Sequence, residues 1–132
     1  MTSVVALQPA TTADVAAAVI EAAARGTPLR IAGRGLWLDA GRPTRDAAPL
    51  SLAALTGIVA YTPGDLTLTA RAGTTLGQIA EATAPHGQWL TLDPFGSADG
   101  TLGATIATAS AGPLAHAFGT PRDVPLGIEA VT

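Results

Sequence analysis

The sequence predicts an α+β fold of small mixed sheets with flanking helices, and three observations carry that reading. Apolar residues recur at helical spacing in two separate stretches, near residues 13–25 and 74–84. Strict alternation of apolar and polar residues runs through 66–71, directly after a Pro-Gly turn signal. The elements do not alternate as repeated strand–helix–strand units, which argues against a doubly wound parallel sheet. At 132 residues there is room for one domain.

Val4–Leu7 is a short apolar run expected as an opening strand. Pro9 and Thr11-Thr12 punctuate it, and a helix follows over Ala13–Arg25. Thr11 or Thr12 is placed to cap this helix, Asp14 suits its positive end, and Val15, Val19, Ala22 and Ala23 share one face. Gly26 stops it. Pro28–Ala32 reads as a buried strand running into Gly33-Arg34-Gly35. Pro49–Leu52 is a further strand, with a short helical turn at Ala53–Leu55. Gly57–Tyr61 and Leu66–Ala72 form an antiparallel hairpin around Thr62-Pro63-Gly64-Asp65, because proline presets φ and glycine permits a positive one. Thr74 or Thr75 caps the next helix, whose inward face is Leu76, Ile79, Ala80 and Thr83; Pro85-His86-Gly87 ends it. Trp89–Leu92 is extended. Leu102, Ile106 and Ala109 space helically across Thr101–Ser110, and the tail Pro125–Thr132 reads as a last strand.

Composition narrows the chemistry. Apolar residues make up 48% of the chain but aromatics only 4%, so a core of Ala, Val, Leu and Ile buries little area per residue and intrinsic stability is modest. The seven basic residues are all arginine and stand singly in a chain of net charge −3, which leaves no basic stripe for a nucleic-acid backbone. Without cysteine there is no disulfide, thiolate nucleophile or Cys-based metal site. His86 and His116 lie far apart without metal-ligand spacing, and no metal site is expected. No carboxylate pair stands out, and no residue can be assigned as catalytic. No membrane segment or leader pattern is present, and a cytoplasmic protein is expected.

Two glycine-rich regions point to a ligand. Gly33-Arg34-Gly35 follows a strand, but Leu38 occupies the place of the third glycine of a Rossmann fingerprint. A plain turn and an anion-binding nest of amides both remain open there. The second region, Asp93–Asp123, is nearly free of charge and holds five glycines. Gly100 and Gly103 flank Thr101 at a helix start, where unpaired amides would point outward together as an anion site. Arg122-Asp123, after Gly119-Thr120-Pro121, is either an ion-paired couple beside that site or a local salt bridge. His116 could touch a ligand. Trp37 and Trp89 could stack on one or pack.

Taken in order, IAGRGLWLDAGRP, LTLTARAGTTLGQIAE, DPFGSADGTLGATIATASAGP and AFGTPRDVPLGIEAV resemble the FAD-binding PCMH-type domain of the vanillyl-alcohol-oxidase-like FAD-linked oxidases. Within that group the chain is most similar to the glycolate oxidase FAD-binding subunits. The resemblance spans residues 1–132 and implies one such domain, incomplete at its C-terminus. It implies that Gly33, Arg34, Gly35, Leu36 and Trp37 grip the FAD pyrophosphate. Pro94, Gly100, Thr101, Leu102 and Gly103 would line the second phosphate and ribityl-facing segment. Ser110, Gly112, Gly119, Arg122 and Asp123 would lie along the flavin, with Glu129–Val131 near the adenine. Leu36 and Trp37 stand where the family carries small or polar residues or a histidine, so non-covalent FAD is expected. Ala104 replaces a second glycine at the helix start. The implied function is the FAD-binding portion of an oxidoreductase acting on a 2-hydroxy acid such as glycolate, the flavin taking the hydride. The alternatives are a degenerate or partial module without catalysis, and a same-fold reductase on another substrate, such as a nucleotide sugar. FAD is the expected ligand, with other oxidase subunits or a missing C-terminal half as protein partners.

Overall fold

The computed structural model describes residues 6–43 and 45–132. Helix α1 (Thr12–Ala24) begins on a capping box: Thr11 Oγ1 accepts from the Asp14 amide, and the Asp14 carboxylate accepts from the Thr11 amide, both at 3.1 Å. It ends in a Schellman motif, Gly26 N donating to Ala23 O and Thr27 N to Ala22 O. The buried stripe is narrower than expected. Val15 and Ala22 are buried, and Ala23 is exposed.

Strand β1 (Leu29–Ala32) pairs in parallel with β2 (Ala48–Ser51), Leu29 opposite Ala48 and Ala32 opposite Ser51. Val4 and Val5 lie outside the described residues, but Leu7 bridges Leu50 in parallel on the far side of β2. Leu50, flanked on both sides, is 1% exposed. The first strand is not fully buried as expected: Ile31 is 60% exposed because β1 is the outer strand, and its side chain lines the cleft described below.

The hairpin forms as antiparallel β3 (Ile58–Thr62) and β4 (Thr67–Ala70), with a bulge between Ile58 and Ala60. Leu66 does not join the strand. Pro63–Asp65 winds a 3₁₀ turn, and the chain reverses out of it through Leu66 in the left-handed region. Ala53–Leu55 forms a single turn, Leu55 N donating to Leu52 O at 3.0 Å.

Helix α2 (Leu76–Thr83) opens on a second capping box, Thr75 with Gln78, and buries Ile79 and Thr83. Ala80, expected on the inward face, is exposed. Helix α3 (Leu102–Thr108) and the short α4 (Ala115–Phe118) complete the elements, and Ala109, expected within the helix, is its exposed left-handed cap. Trp89–Leu92 and the tail Pro125–Thr132 form no strand. A strand requires a ladder partner, and among the described residues neither segment makes one. In the tail Leu126 and Ile128 are largely exposed.

The fold is therefore α+β, but loosely filled. Among the described residues the buried apolar side chains are Val15, Ala22, Leu50 and Ile79, of which only Leu50 and Ile79 are fully enclosed. The accessible surface is 8930 Å², whereas a compact monomer of 13.1 kDa presents about 6,400 Å². No helix among the described residues is long and apolar enough to cross a membrane.

Candidate functional site

The site is built where β1 runs out. Beyond Ala32 the chain turns through Gly33–Leu38, and three contacts hold that loop. Ser51 Oγ donates to the Gly33 carbonyl at 3.0 Å, and the Arg30 guanidinium donates to the Leu38 carbonyl. Gly33 lies flat against the side chain of Thr101, so close that a Cβ there would stand 3.2 Å from Thr101 Cβ and Cγ2 and closer still to Oγ1. Gly35, at φ +75°, turns the chain outward. Among the described residues the amides of Arg34, Gly35, Leu36 and Trp37 donate to no acceptor. The loop thus presents successive unpaired donors of the kind that cradle an anion.

The start of α3 is different. Its amides were expected to be free, and they are not. Leu102 N donates to Thr74 O at 2.9 Å and Gly103 N to Ala72 O at 2.8 Å, while Ala104 N is capped by Thr101 Oγ1. These bonds flank an antiparallel bridge between Thr75 and Thr101, which brings the starts of α2 and α3 together. The acceptor-free amides expected at the Thr101 helix start are thus found in the Gly33–Trp37 loop instead.

Between this loop and α3 lies a cleft of about 160 Å³. It gathers Gly33, Arg34, Gly35, Leu36 and Trp37 from the first loop, and Pro94, Gly100, Thr101 and Ser110 from the glycine-rich region. The two lips touch twice. Trp37 meets Phe95 edge to face at 5.4 Å between centroids, and Arg34 pairs with Asp99 at 3.4 Å. Phe95 N is held by Ser110 Oγ at 3.2 Å.

Leu102, Gly103, Gly112, Gly119, Arg122 and Asp123 lie outside the cleft. Gly103 and Gly112 serve close packing: a Cβ would fall 2.7 Å from Ala72 Cβ at the first and 2.6 Å from Asp93 O at the second. Asp93 is an organiser that the sequence did not flag. Its carboxylate accepts from Gly112 N at 3.1 Å and Leu114 N at 2.9 Å, fixing the loop into α4. The Arg122–Asp123 pair does not form within salt-bridge distance. Asp123 instead accepts from the Thr120 amide at 2.8 Å and the Thr120 hydroxyl at 2.7 Å. The amide bond chiefly holds the Asp123 carboxyl below its ordinary pKa; the hydroxyl and the charge of Arg122 add to it. His116, on α4, and Glu129–Val131 also lie away from the cleft. Trp89 packs edge-on against Phe118 at 5.2 Å.

Sequence reasoning missed the far wall. Ala104, Thr105 and Thr108 line the cleft from α3. The polar stripe Thr101, Thr105, Thr108 has helical spacing and was legible beside the apolar Leu102, Ile106, Ala109 stripe. Its hydroxyls are turned back on the helix, Thr105 Oγ1 donating to Thr101 O at 3.0 Å and Thr108 Oγ1 to Ala104 O at 2.7 Å. That leaves Arg34 as the titratable side chain lining the cleft, among the described residues.

A family model described as "FAD binding domain" matches residues 4–132. The glycolate oxidase subunit GlcE of Escherichia coli (strain K12) is 37% identical over 108 residues, covering 80% of this chain and 30% of that protein. The crystal structure of aclacinomycin oxidoreductase superposes with a TM-score of 0.67 at 20% identity, over 88% of this chain and 23% of its own. The chain thus spans less than a third of the length of either. With its match running through both glycine-rich regions and the cleft between them, the chain belongs to the FAD binding domain family.

Proposed function

We propose that this chain holds FAD non-covalently, with the Gly33–Trp37 loop gripping the pyrophosphate, as the FAD-binding portion of an oxidoreductase acting on a 2-hydroxy acid. The four acceptor-free amides at Arg34–Trp37 carry the reading. A diphosphate offers several anionic oxygens, and consecutive backbone donors match them without a cationic side chain. Arg34, exposed at the same lip and paired there with Asp99, would add a charge-assisted contact on exchanging that carboxylate for phosphate.

The cleft takes part of such a cofactor. Its volume of about 160 Å³ suits a pyrophosphate with adjoining atoms, while whole ligands occupy roughly 300–1,000 Å³. The loop residues Gly33–Leu38 include no His, Cys or Tyr, so no nucleophile stands there to bond the flavin covalently. Bound FAD would supply two-electron redox chemistry, and the chain's residues would bind and orient it. No His, Asp or Glu lines the cleft among the described residues. A proton acceptor for the substrate hydroxyl would thus come from other polypeptide, a further oxidase subunit or additional chain. The same observation favours a second reading, a nucleotide-binding module with no catalysis of its own. A 2-hydroxy acid substrate rests on the likeness to glycolate oxidase subunit GlcE. A cytoplasmic location belongs to the same proposal.

The test is equilibrium dialysis of the purified chain against FAD, with inorganic pyrophosphate as competitor. Saturable uptake of one FAD per chain, displaced by pyrophosphate, is expected. Failure to take up FAD at any concentration overturns the reading; uptake that pyrophosphate does not displace overturns the role given to the loop.

A further inference from the structure

The cleft has a feature that phosphate binding does not use. Trp37 and Phe95, from opposite lips, stand at 82° to each other with centroids 5.4 Å apart, 42% and 80% exposed. Large aromatic faces left open beside a ligand cleft are uncommon on a soluble protein and mark binding surfaces. The geometry decides the mode of binding. Sandwiching a flat ring between two aromatic faces needs parallel walls roughly 7–8 Å apart, two contact distances of about 3.5–4 Å each. The Trp37–Phe95 pair is too close and nearly perpendicular, so nothing inserts between the rings. It forms a corner instead, which receives a planar ring stacked on one wall with its rim against the other, both favoured aromatic arrangements. Trp37 also belongs to the loop whose amides have no acceptor among the described residues, which places a stacked ring and a gripped phosphate within reach of one ligand.

We infer that Trp37, with Phe95 as the second wall, is the docking corner for a planar heteroaromatic ring of the nucleotide cofactor whose phosphates the Arg34–Trp37 amides bind. This rests on the proposed function above. The same chemistry is offered by two parts of FAD, the isoalloxazine and the adenine, and ligands carrying one ring each tell them apart.

The experiment measures dissociation constants of the full chain and of Trp37→Ala and Trp37→Phe for FAD, FMN, ADP and inorganic pyrophosphate by isothermal titration calorimetry. Aromatic stacking on a base, removed by alanine, costs about fivefold to a hundredfold in affinity. Trp37→Ala is expected to lose that factor for FAD and distinctly less for pyrophosphate, whose contacts are backbone amides, and a circular dichroism spectrum like the parent's shows that the variant is folded. Trp37→Phe, which keeps an aromatic face, is expected to recover most of the loss. A loss shared by FAD and FMN assigns the isoalloxazine to the corner; a loss shared by FAD and ADP assigns the adenine. Equal FAD affinity in parent and Trp37→Ala overturns the corner while leaving the phosphate loop standing. Equal losses for FAD and pyrophosphate overturn it as well, since Trp37 then merely shapes the loop. A parent chain that binds neither ligand overturns both proposals.

Discussion

Replacing Gly33 by alanine is the sharpest perturbation of the loop. The added Cβ enters the space of Thr101, 3.2 Å from its Cβ and Cγ2 and nearer to Oγ1. Thr101 is 1% exposed and caps α3, and its neighbouring amides are tied to Ala72 and Thr74, so it cannot retreat cheaply. Overpacking of this kind costs about 1–3 kcal/mol. Unfolding entropy near 2.1 cal/mol/K per residue gives about 0.28 kcal/mol/K for this chain, so the melting temperature should fall by about 4–11 °C. Circular dichroism melts measure the fall, and FAD affinity should drop with it because the loop is displaced from α3. Thr101→Ala removes Oγ1 and Cγ2, leaving Cβ at 3.2 Å as the remaining obstruction, at the cost of a helix cap, about 1 kcal/mol. The double variant should therefore be more stable than the sum of the two single losses. A Gly33→Ala protein that melts with the parent, or a double variant that is simply additive, would refute the packing argument.

Three further outcomes follow from the same contacts. Gly103→Ala should destabilise, although alanine in a helix is normally worth up to about 1 kcal/mol over glycine; the new Cβ would stand 2.7 Å from Ala72 Cβ, and a raised melting temperature would contradict this. Asp93→Ala strips the acceptor from two amides, at Gly112 and Leu114, and should cost about 1.5–3 kcal/mol for each charged bond lost, checked by urea unfolding. Asp123 has a folded pKa below its unfolded value, so its contribution is fully present above the unfolded value of 3.8 and is lost as pH falls through the folded one. The stability gap between parent and Asp123→Asn should accordingly be flat near neutrality and close on acidification below 3.8, and a gap that widens there would show the sign to be wrong.

What the sequence made legible was local. The caps at Thr11 or Thr12, at Thr74 or Thr75 and at Gly26 are announced within four residues of their partners, and Thr11, Thr75 and Gly26 fill them; the Pro63-Gly64 turn also forms, with Leu66 rather than glycine in the left-handed region. The α+β class followed from the helical spacing in two stretches and the alternation through 66–71. The errors arose where long-range partners decide the outcome. The amides of Leu102 and Gly103 are consumed by carbonyls about thirty residues away, and no periodicity within α3 shows that. Gly103 and Gly112 looked like ligand-facing glycines but are gaps for Ala72 and Asp93. The tail 125–132 has a strand's alternation and no edge to pair with among the described residues. At the cleft, Gly33-Arg34-Gly35 left turn and nest equally open; the lack of acceptors for the following amides among the described residues supports the nest proposed above.

The central claim is that phosphate is bound by the first loop and not by the start of α3. Amide NMR of the isotopically labelled chain, titrated with FAD, tests it residue by residue. The amide resonances of Arg34, Gly35, Leu36 and Trp37 should shift most, while those of Leu102 and Gly103, committed to Thr74 and Ala72, stay nearly still. The largest shifts at Leu102 and Gly103, with the first loop unmoved, would contradict it.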